Sequence, residues 1–493
     1  MGRNKRSEKK TVASNLFWRF AERTGAQIVA FIVSVVLARL LDPGVYGRVA
    51  LITVFTTILQ VFVDSGLGNA LIQKKDADDV DFSTVFYTNV VFCISLYLVV
   101  FFAAPYIAAF YNDIPLTPCI RVLAITILIS GVKNVQQAYV SRHMLFRIFF
   151  FSTLAGTITA GMVGVAMALC GFGIWALVAQ QIINLSIDTL VLWITVKWRP
   201  IRSFNFERLK SLWNFGWKLL VSSLLDTGYN DLRSLIIGKV YTSEDLAFYN
   251  QGQKFPNLII RNINVSINSV LLPAMSNVQD DVKHLKNMTR RSITVSVYLM
   301  APLMMGLVCV GEPLVRLILT EKWLPCVPFM SIFCITNIFF PIHTANLNAI
   351  KAMGRSDLFL ILEILKKIVG IAAILITMNI SVMAMAYSLL VVSVLSQIIN
   401  SWPNRKLLGY SYLEQLKDIA PSVLLSCFMG VCVKMVQFLH FPDIITLLLQ
   451  VIIGGIIYLG LSILLHFEPF LYVLDILSNY MPDRIRNRFK RKS

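Results

Sequence analysis

The sequence has little charge for its length. Of its 493 residues, 15% are Asp, Glu, Lys or Arg, whereas 56% are hydrophobic. A water-soluble globular protein carries charge on roughly 25% of its residues, so most of this chain is expected to lie in lipid. The composition therefore excludes an ordinary soluble enzyme and predicts an integral membrane protein.

Paired cysteines are also missing from the sequence. The eight cysteines lie mainly within apolar runs, and no two of them form a CxxC motif. That spacing indicates neither a zinc site nor a disulfide framework, so we interpret them as small core residues. A removable signal peptide is not expected either, because the basic N-terminus leads into a segment with Arg19, Glu22 and Arg23 instead of a short apolar stretch.

Long apolar segments recur along the whole chain. A spanning helix takes roughly 20 such residues. The segments lie at 15–40, 47–71, 83–110, 117–139, 148–169, 172–196, 212–239, 247–274, 291–319, 325–350, 359–379, 381–402, 418–438 and 444–466. We predict an all-α integral membrane protein of about fourteen transmembrane helices. The short connections leave no room for a folded extramembrane catalytic domain.

Basic residues are concentrated in alternate connections. If both termini are cytoplasmic, the inner segments hold most Lys and Arg residues, including 197–210 and 283–291, while the outer connections hold only Arg316 and Lys322. This asymmetry predicts that both termini are cytoplasmic. The net charge of +18 thus reflects topology. No nucleic acid partner is expected, because there is no soluble domain to bind one.

A weak internal repeat predicts two halves. Span 1 is followed by LDPGV and Tyr46, and span 7 by YTSEDLAF and Tyr249; the exits of spans 2 and 4 resemble those of spans 8 and 10. Repeats of this kind are typical of secondary transporters. We expect two pseudo-symmetric six-helix lobes and two added helices.

The predicted parts are a cytoplasmic N-tail (1–14), an N-lobe (15–196), a basic cytoplasmic linker (197–211), a C-lobe (212–402), a cytoplasmic loop (403–417), spans 13 and 14 (418–466) and a basic cytoplasmic C-tail (467–493).

An ordered set of short motifs points to a family. These are LDPGVYG (41–47), VDSGLGNALIQ (63–73), SRHMLFR (141–147), GFGIWALVAQQ (171–181), YNDLRSLIIGK (229–239), LLPAMSNVQDD (271–281) and AIKAMGRSD (349–357). The chain thereby resembles the Wzx-like polysaccharide and lipid-linked oligosaccharide flippases of the multidrug, oligosaccharidyl-lipid and polysaccharide exporter superfamily.

The resemblance implies a protein of the bacterial or archaeal inner membrane with two lobes around a central cavity. The implied substrate is an oligosaccharide on a polyprenyl diphosphate, carried from the inner to the outer leaflet. Spans 13 and 14 would help to form a groove for the lipid tail. Polysaccharide synthesis enzymes and anionic membrane lipids are candidate partners.

Several basic residues fall inside the apolar segments. An ionised side chain at membrane depth is costly unless it is paired or faces a wet cavity. The planar guanidinium group of arginine can donate two parallel hydrogen bonds to phosphate oxygens. We therefore expect a diphosphate site formed by Arg19, Arg23, Arg233, Lys254 and Arg261, with Arg23 and Arg261 as first choices. Alternatively, Arg23 pairs with Glu22, and Asp231 with Arg233 forms a structural bridge.

Carboxylates inside the apolar segments are candidates for coupling to H⁺ or Na⁺. They are Glu22, Asp64, Asp226 and Asp231. Asp64 has a competing interpretation, because VDSGLG is also typical of a bend in which Gly66 and Gly68 allow close helix packing. We interpret His343 as a hydrogen-bonded packing residue. No catalytic residue, metal site or further cofactor is predicted.

Two polar segments are interpreted as surface features. The acidic string Asp76, Asp78, Asp79 and Asp81 has DxD spacing, but in a short loop we expect it to be solvated and not to bind metal. The segment 197–213 combines basic and aromatic residues, which predicts a helix on the anionic inner leaflet. The C-tail at 482–493 is interpreted in the same way.

Three other functions remain open on the sequence. A cation-coupled drug antiporter of the same superfamily would need an acidic cavity, whereas basic residues accompany the acidic ones here. A sugar-chain polymerase or ligase usually has a large outer loop, which this chain lacks. A scaffold that recruits synthesis enzymes through its inner loops is compatible with everything above.

Overall fold

The computed structural model describes residues 25–64 and 66–479, apart from the side chains of residues 215, 265–266, 268–270 and 476–479. Within these ranges the chain is helical and contains no strand, which confirms the all-α prediction. The helices are α1 (Gly25–Leu40), α2 (Pro43–Asp64), α3 (Leu67–Gln73), α4 (Asp79–Phe110), α5 (Leu116–Leu123), α6 (Ile125–Arg142), α7 (Phe146–Leu169), α8 (Ile174–Thr195), α9 (Phe206–Val240), α10 (Ser243–Ser276), α11 (Val282–Ile318), α12 (Cys326–Ile338), α13 (Phe340–Ala352), α14 (Ser356–Thr377), α15 (Val382–Leu407), α16 (Tyr412–Met435), α17 (Asp443–Leu464) and α18 (Glu468–Asn479).

Most of these helices can cross a membrane. Among the described residues, 10 helical segments are long and apolar enough to span it, and three of these are pairs of consecutive helices, namely α2 with α3, α5 with α6 and α12 with α13. The chain is therefore a multi-pass membrane protein. The more highly charged helices α9, α10 and α14 fall outside that set, as do the shorter α1 and α18. Each predicted segment falls on a helix where the structure describes it, but residues 15–24 of the first segment lie outside the described residues and the count of fourteen spans stays a prediction.

Local sequence signals explain where helices begin and end. The Asp78 side chain accepts from the backbone N–H groups of Val80 and Asp81, and the Asp81 carboxylate accepts from the N–H of Asp78, so α4 begins with a capping box. The turn before α8 contains Gly171 at φ 80° and Gly173 at φ 51°. Such left-handed conformations favour glycine, and the GFG motif predicts this turn.

The chain divides into two compact units, one ending at Ala247 and the other beginning at Phe248. In the first unit, α7 packs against α8, α4 and α2 each pack against α6, and α9 packs against α2, α3 and α4. In the second unit, α11 is central, since it contacts α12, α13, α16, α17 and α18. Helix α9, assigned by sequence to the second lobe, thus has its described neighbours in the first unit.

The structure corrects the interpretation of the basic segment after α8. Residues 197–205 contain no helix, and α9 begins only at Phe206. Trp198 is buried against Phe82 and Tyr139, and the backbone N–H of Ile201 donates to Ser83 Oγ at 3.0 Å. Because these contacts lie inside the first unit, residues 197–205 form an extended segment packed against it and not a surface helix.

The acidic string is also less solvated than expected. Asp81 is fully buried, and both of its carboxylate oxygens lie 2.7 Å from Lys74 Nζ. Arg208 on α9 bonds to Asp78 and lies 3.6 Å from Asp81. These carboxylates therefore hold helix ends together. Asp76 and Asp79 remain exposed.

Small residues allow close packing around the VDSGLG motif. Helix α2 ends at Asp64 and α3 begins at Leu67, and a Cβ on Gly68 would lie 2.5 Å from Asn134 Oδ1. The close-packing interpretation of Gly68 is thereby confirmed. All eight cysteines are free, and five are buried as expected, but Cys170 is exposed.

Candidate functional site

A polar cavity of about 510 Å³ lies inside the first unit. It is lined by residues of α2, α6, α7 and α8, which are otherwise apolar. The lining consists largely of hydroxyl, amide and charged groups, and comprises Thr53, Thr56, Thr57, Gln60, Val61, Asp64, Thr126, Lys133, Thr153, Gln181, Asn184, Leu185 and Asp188. In a membrane protein, polar groups at this depth mark a wet cavity or an ion pathway.

An ion pair across the cavity joins α6 to α8. Lys133 Nζ lies 2.6 Å from Asp188 Oδ2, and both side chains are about nine-tenths buried. The second oxygen, Asp188 Oδ1, is buried and accepts no hydrogen bond from the described part of the chain. A buried carboxylate oxygen without a donor is costly, so this atom is a natural acceptor for a proton, a water molecule or a small cation.

A second carboxylate, Asp64, lies on α2 at the same cavity. Its Oδ1 accepts from Asn134 Nδ2 at 3.2 Å, and Asn134 Oδ1 in turn accepts from Asn89 Nδ2 at 3.3 Å. The amides orient the carboxylate. A further bond joins α8 to α2 at this cavity, since Gln181 Nε2 donates to Thr53 Oγ1 at 3.2 Å. The cavity therefore has two carboxylates, one ammonium group and a rim of neutral oxygens.

This donor set suits a proton or a hard monovalent cation. Carboxylate, hydroxyl and amide oxygens are hard ligands. Among the described residues, no group of three His, Cys, Asp or Glu side chains that could hold a metal ion is found. A cation or proton that neutralises Asp188 would weaken the hold on Lys133. An ion pair that a bound cation could weaken is the kind of element on which ion coupling depends.

The predicted carboxylates have different locations. Asp64 lines the cavity. On α9, Asp226 is exposed and Asp231 is half-buried, and neither lines it. Glu22 lies outside the described residues. Lys133 and Asp188 are not among the predicted site residues, although each is a charge within an apolar segment, which is the same signal that marks Asp64.

The predicted phosphate-binding cations also differ in their surroundings. Arg233 on α9 is 6% exposed, and Lys254 on α10 is half-buried. Arg261, near the middle of the 34-residue helix α10, is exposed. No ion pair is found for Arg261 within the described ranges. Arg19 and Arg23 lie outside them.

The second unit contains a buried amide network. Asn346 Nδ2 donates to Gln415 Oε1 at 2.8 Å and to Ser401 Oγ at 3.2 Å, and Asn404 Nδ2 donates to Asn346 Oδ1 at 2.6 Å. Beside it, Asn400 Nδ2 lies 3.0 Å from His343 Nδ1. These bonds join α13 to α15 and α16, and they confirm that His343 is a hydrogen-bonded packing residue.

The fold is that of multi-pass membrane transporters. It is similar to a structure of the lipid II flippase MurJ in an inward closed conformation, with a TM-score of 0.72 and 14% identity, covering 91% of this chain and 98% of that one. An inward-facing multidrug resistance transporter of the MATE family gives a TM-score of 0.62 at 12% identity, covering 79% and 98%.

The family follows from the sequence comparison. Residues 36–328 match the model of the polysaccharide biosynthesis protein family, and the chain belongs to that family. It is 25% identical over 389 residues to the teichuronic acid biosynthesis protein TuaB of Bacillus subtilis (strain 168), covering 76% of this chain and 78% of that protein. It is 22% identical over 421 residues to the lipopolysaccharide biosynthesis protein WzxC of Escherichia coli (strain K12), covering 81% and 83%.

Proposed function

We propose that the protein is a flippase that moves a polyprenyl-diphosphate-linked oligosaccharide from the inner to the outer leaflet for surface polysaccharide assembly. The family supports this function, because its relatives are named for teichuronic acid, lipopolysaccharide and succinoglycan biosynthesis, the last being the transport protein ExoT of Rhizobium meliloti (strain 1021). The fold supports it too, because the same fold occurs in a lipid II flippase.

The observation that carries the proposal is the position of Arg261. At 1.5 Å per residue, this exposed guanidinium lies roughly 20 Å or more along the axis from either end of α10. Facing hydrocarbon alone, it would cost several kcal/mol. An anion that passes along α10 would remove that cost, and a diphosphate offers oxygens that match the guanidinium fork.

Other features assist this cation. Pro256 lies one and a half turns before Arg261 and cannot donate a helical hydrogen bond, so α10 has a freed carbonyl nearby. Lys254 on α10 and Arg233 on α9 are further cations on the two helices that are too polar to meet the composition of an ordinary span. We assign the diphosphate-binding role to Arg261, Lys254 and Arg233, together with Arg19 and Arg23.

Coupling is assigned to the polar cavity of the first unit. Either H⁺ or Na⁺ binding at Asp188 and Asp64 would neutralise charge there and release Lys133, which would bias the alternation between inward and outward states. The protein would work in the bacterial inner membrane with both termini in the cytoplasm, in contact with anionic lipids and with polysaccharide synthesis enzymes. It would transport its substrate and not act as an enzyme.

The test compares lipid-linked oligosaccharide on the two leaflets in a strain that lacks the gene. We expect the precursor to accumulate on the inner face, and the wild-type gene to restore export. Arg261→Ala should insert normally yet fail to restore it, and Arg261→Lys should restore it partly, since an ammonium keeps the charge without the fork. Arg355→Ala is the matched control, because Arg355 is an exposed arginine whose partner is Asp357.

The same experiment separates the alternatives. No accumulation in the deletion strain would contradict the flippase proposal. If the deletion strain instead became sensitive to cationic drugs, that result would favour the antiporter function. The two carboxylates of the cavity would then be the acidic groups that bind the drug. Full export by Arg261→Ala would overturn the role of this residue and leave the flippase proposal standing.

A further inference from the structure

A second cavity, of about 990 Å³, lies in the second unit. Its walls come from the first turns of α11, the first turns of α16, the joint between α17 and α18, and one face of α10. This volume is at the upper end of the range for small-molecule sites, roughly 300–1,000 Å³. A single ion would not fill it.

One wall is fixed by an ion pair. Arg290 lies 2.6 Å from Asp418 Oδ1, and Asp418 Oδ2 accepts from the hydroxyl of Tyr410 at 2.7 Å. The Asp418 carboxylate is thus occupied on both oxygens. This pair fixes the position of Arg290 in the wall of the cavity, within electrostatic range of Glu468.

The neighbouring Arg291 is different. Its guanidinium is stacked 4.3 Å from the centre of the Tyr472 ring on α18, and no carboxylate forms an ion pair with it in the described part of the chain. Stacking fixes the plane of the guanidinium and leaves its edge donors for an oxyanion. Glu468, in the first turn of α18, is an exposed carboxylate at the same cavity.

Part of the lining is apolar. Ile267, Leu271 and Ala274 of α10 face the cavity together with Leu465 and Phe467. The ligand must therefore have a charged part and a hydrocarbon part.

The depth of the cavity identifies the kind of ligand. Helix α11 has 37 residues, and Arg291 lies about 14 Å along the axis from its centre at 1.5 Å per residue. Half of the hydrocarbon thickness is about 15 Å. If α11 is centred in the membrane, the backbone of Arg291 lies at the edge of the hydrocarbon layer, from which its long side chain reaches the phospholipid phosphates.

We propose that this cavity binds a phospholipid whose headgroup carries both a phosphate and a primary ammonium. The phosphate lies against Arg291, the ammonium against Glu468, and an acyl chain along the apolar face of α10. The opposite charges of Arg291 and Glu468 match such a headgroup, whereas a purely anionic lipid would meet the Glu468 carboxylate. Tyr472 links the site to α18, so the bound lipid holds this helix against the unit.

The experiment measures lipid retention by the purified full chain. The protein is equilibrated with vesicles of phosphatidylethanolamine, phosphatidylcholine or phosphatidylglycerol with identical acyl chains, and retained lipid is counted by native mass spectrometry. We expect the wild type to retain one ethanolamine lipid severalfold better than the other two. Arg291→Gln should retain roughly tenfold less, whereas the matched Arg355→Gln should behave as the wild type.

Glu468→Gln tests headgroup selection without removing the phosphate contact. We expect this variant to retain ethanolamine and choline lipids equally, and its exposed position makes a folding defect a poor explanation for such a result. Equal retention by Arg291→Gln and Arg355→Gln would overturn the proposal, and so would a wild type that does not discriminate among headgroups. Recovery of a polyprenyl diphosphate at this site from native membranes would also overturn it and assign the cavity to the substrate route. These outcomes do not depend on export.

Discussion

Lys133 Nζ lies 2.6 Å from Asp188 Oδ2, at the point where α6 and α8 face the polar cavity of the first unit. The pair is about nine-tenths buried, so salt screens its charges less than it would screen an exposed pair. Breaking a buried pair leaves one uncompensated charge, whereas replacing both members removes that penalty. This asymmetry makes the pair both a structural link and a candidate switch.

A double-mutant cycle tests the structural part. Lys133→Met leaves the Asp188 carboxylate without its partner, so we expect about 3–5 kcal/mol of destabilisation, and Asp188→Leu should be similar. The double variant should recover most of that loss, because it leaves no buried charge. The stability of the three variants is measured by heating the detergent-purified protein and using size-exclusion chromatography to quantify the fraction that remains folded. Additive losses in the double variant would show that the two charges do not interact.

Ion coupling is tested by transport in proteoliposomes. We expect wild-type export to rise with an imposed proton or sodium gradient, and Asp188→Asn to lose that response while retaining slow, gradient-independent export. Asparagine keeps the shape but cannot change its charge. Asp79→Asn is the matched control, since Asp79 is exposed in the first turn of α4 and does not line the cavity. A gradient response that survives in Asp188→Asn would remove this residue from the coupling site.

Asp78 and Asp81 give a prediction about stability and pH. Asp81→Ala should destabilise the protein by roughly 3 kcal/mol, because it leaves Lys74 without its buried partner. Asp78→Ala should cost about 1 kcal/mol through the lost helix cap.

Arg208 lowers the pKa of the Asp78 carboxyl to about 2. A carboxyl with a lowered pKa stabilises the folded state above its ordinary pKa and loses that contribution as the pH falls through the lowered value.

The melting temperature measured between about pH 5 and about pH 2 checks the pH dependence. The wild type should lose stability on acidification, and Arg208→Gln should show a smaller loss from this site. Because Asp78 and Arg208 are largely exposed, the difference will be small and should shrink with added salt. Identical pH profiles in low salt would contradict the assigned cause of the pKa shift.

Much of the fold follows from the sequence because lipid imposes simple constraints. Long apolar segments must form helices, since every backbone group in hydrocarbon has to be satisfied internally, and the glycines of GFGIWAL mark the turn before α8. The site was harder to predict. Lys133 and Asp188 are far apart in the chain, and only the packing of α6 against α8 brings them together. Likewise, the sequence predicted a solvated loop around Asp81 and a helix on the inner leaflet around Trp198, but long-range contacts bury both side chains.

Gly47 provides a steric test of the first unit. A Cβ at this position of α2 would lie 1.6 Å from the carbonyl oxygen of Ser243, where α10 begins, so the backbone would have to move. We expect Gly47→Ala to cost about 1–3 kcal/mol or more through overpacking. Gly228→Ala is the matched control, because no atom lies within 4 Å of a Cβ built there, and alanine favours a helix over glycine by up to about 1 kcal/mol. Thermal unfolding should therefore show opposite shifts for the two variants. An unchanged melting temperature in Gly47→Ala would mean that α2 and the start of α10 are not in contact in the membrane.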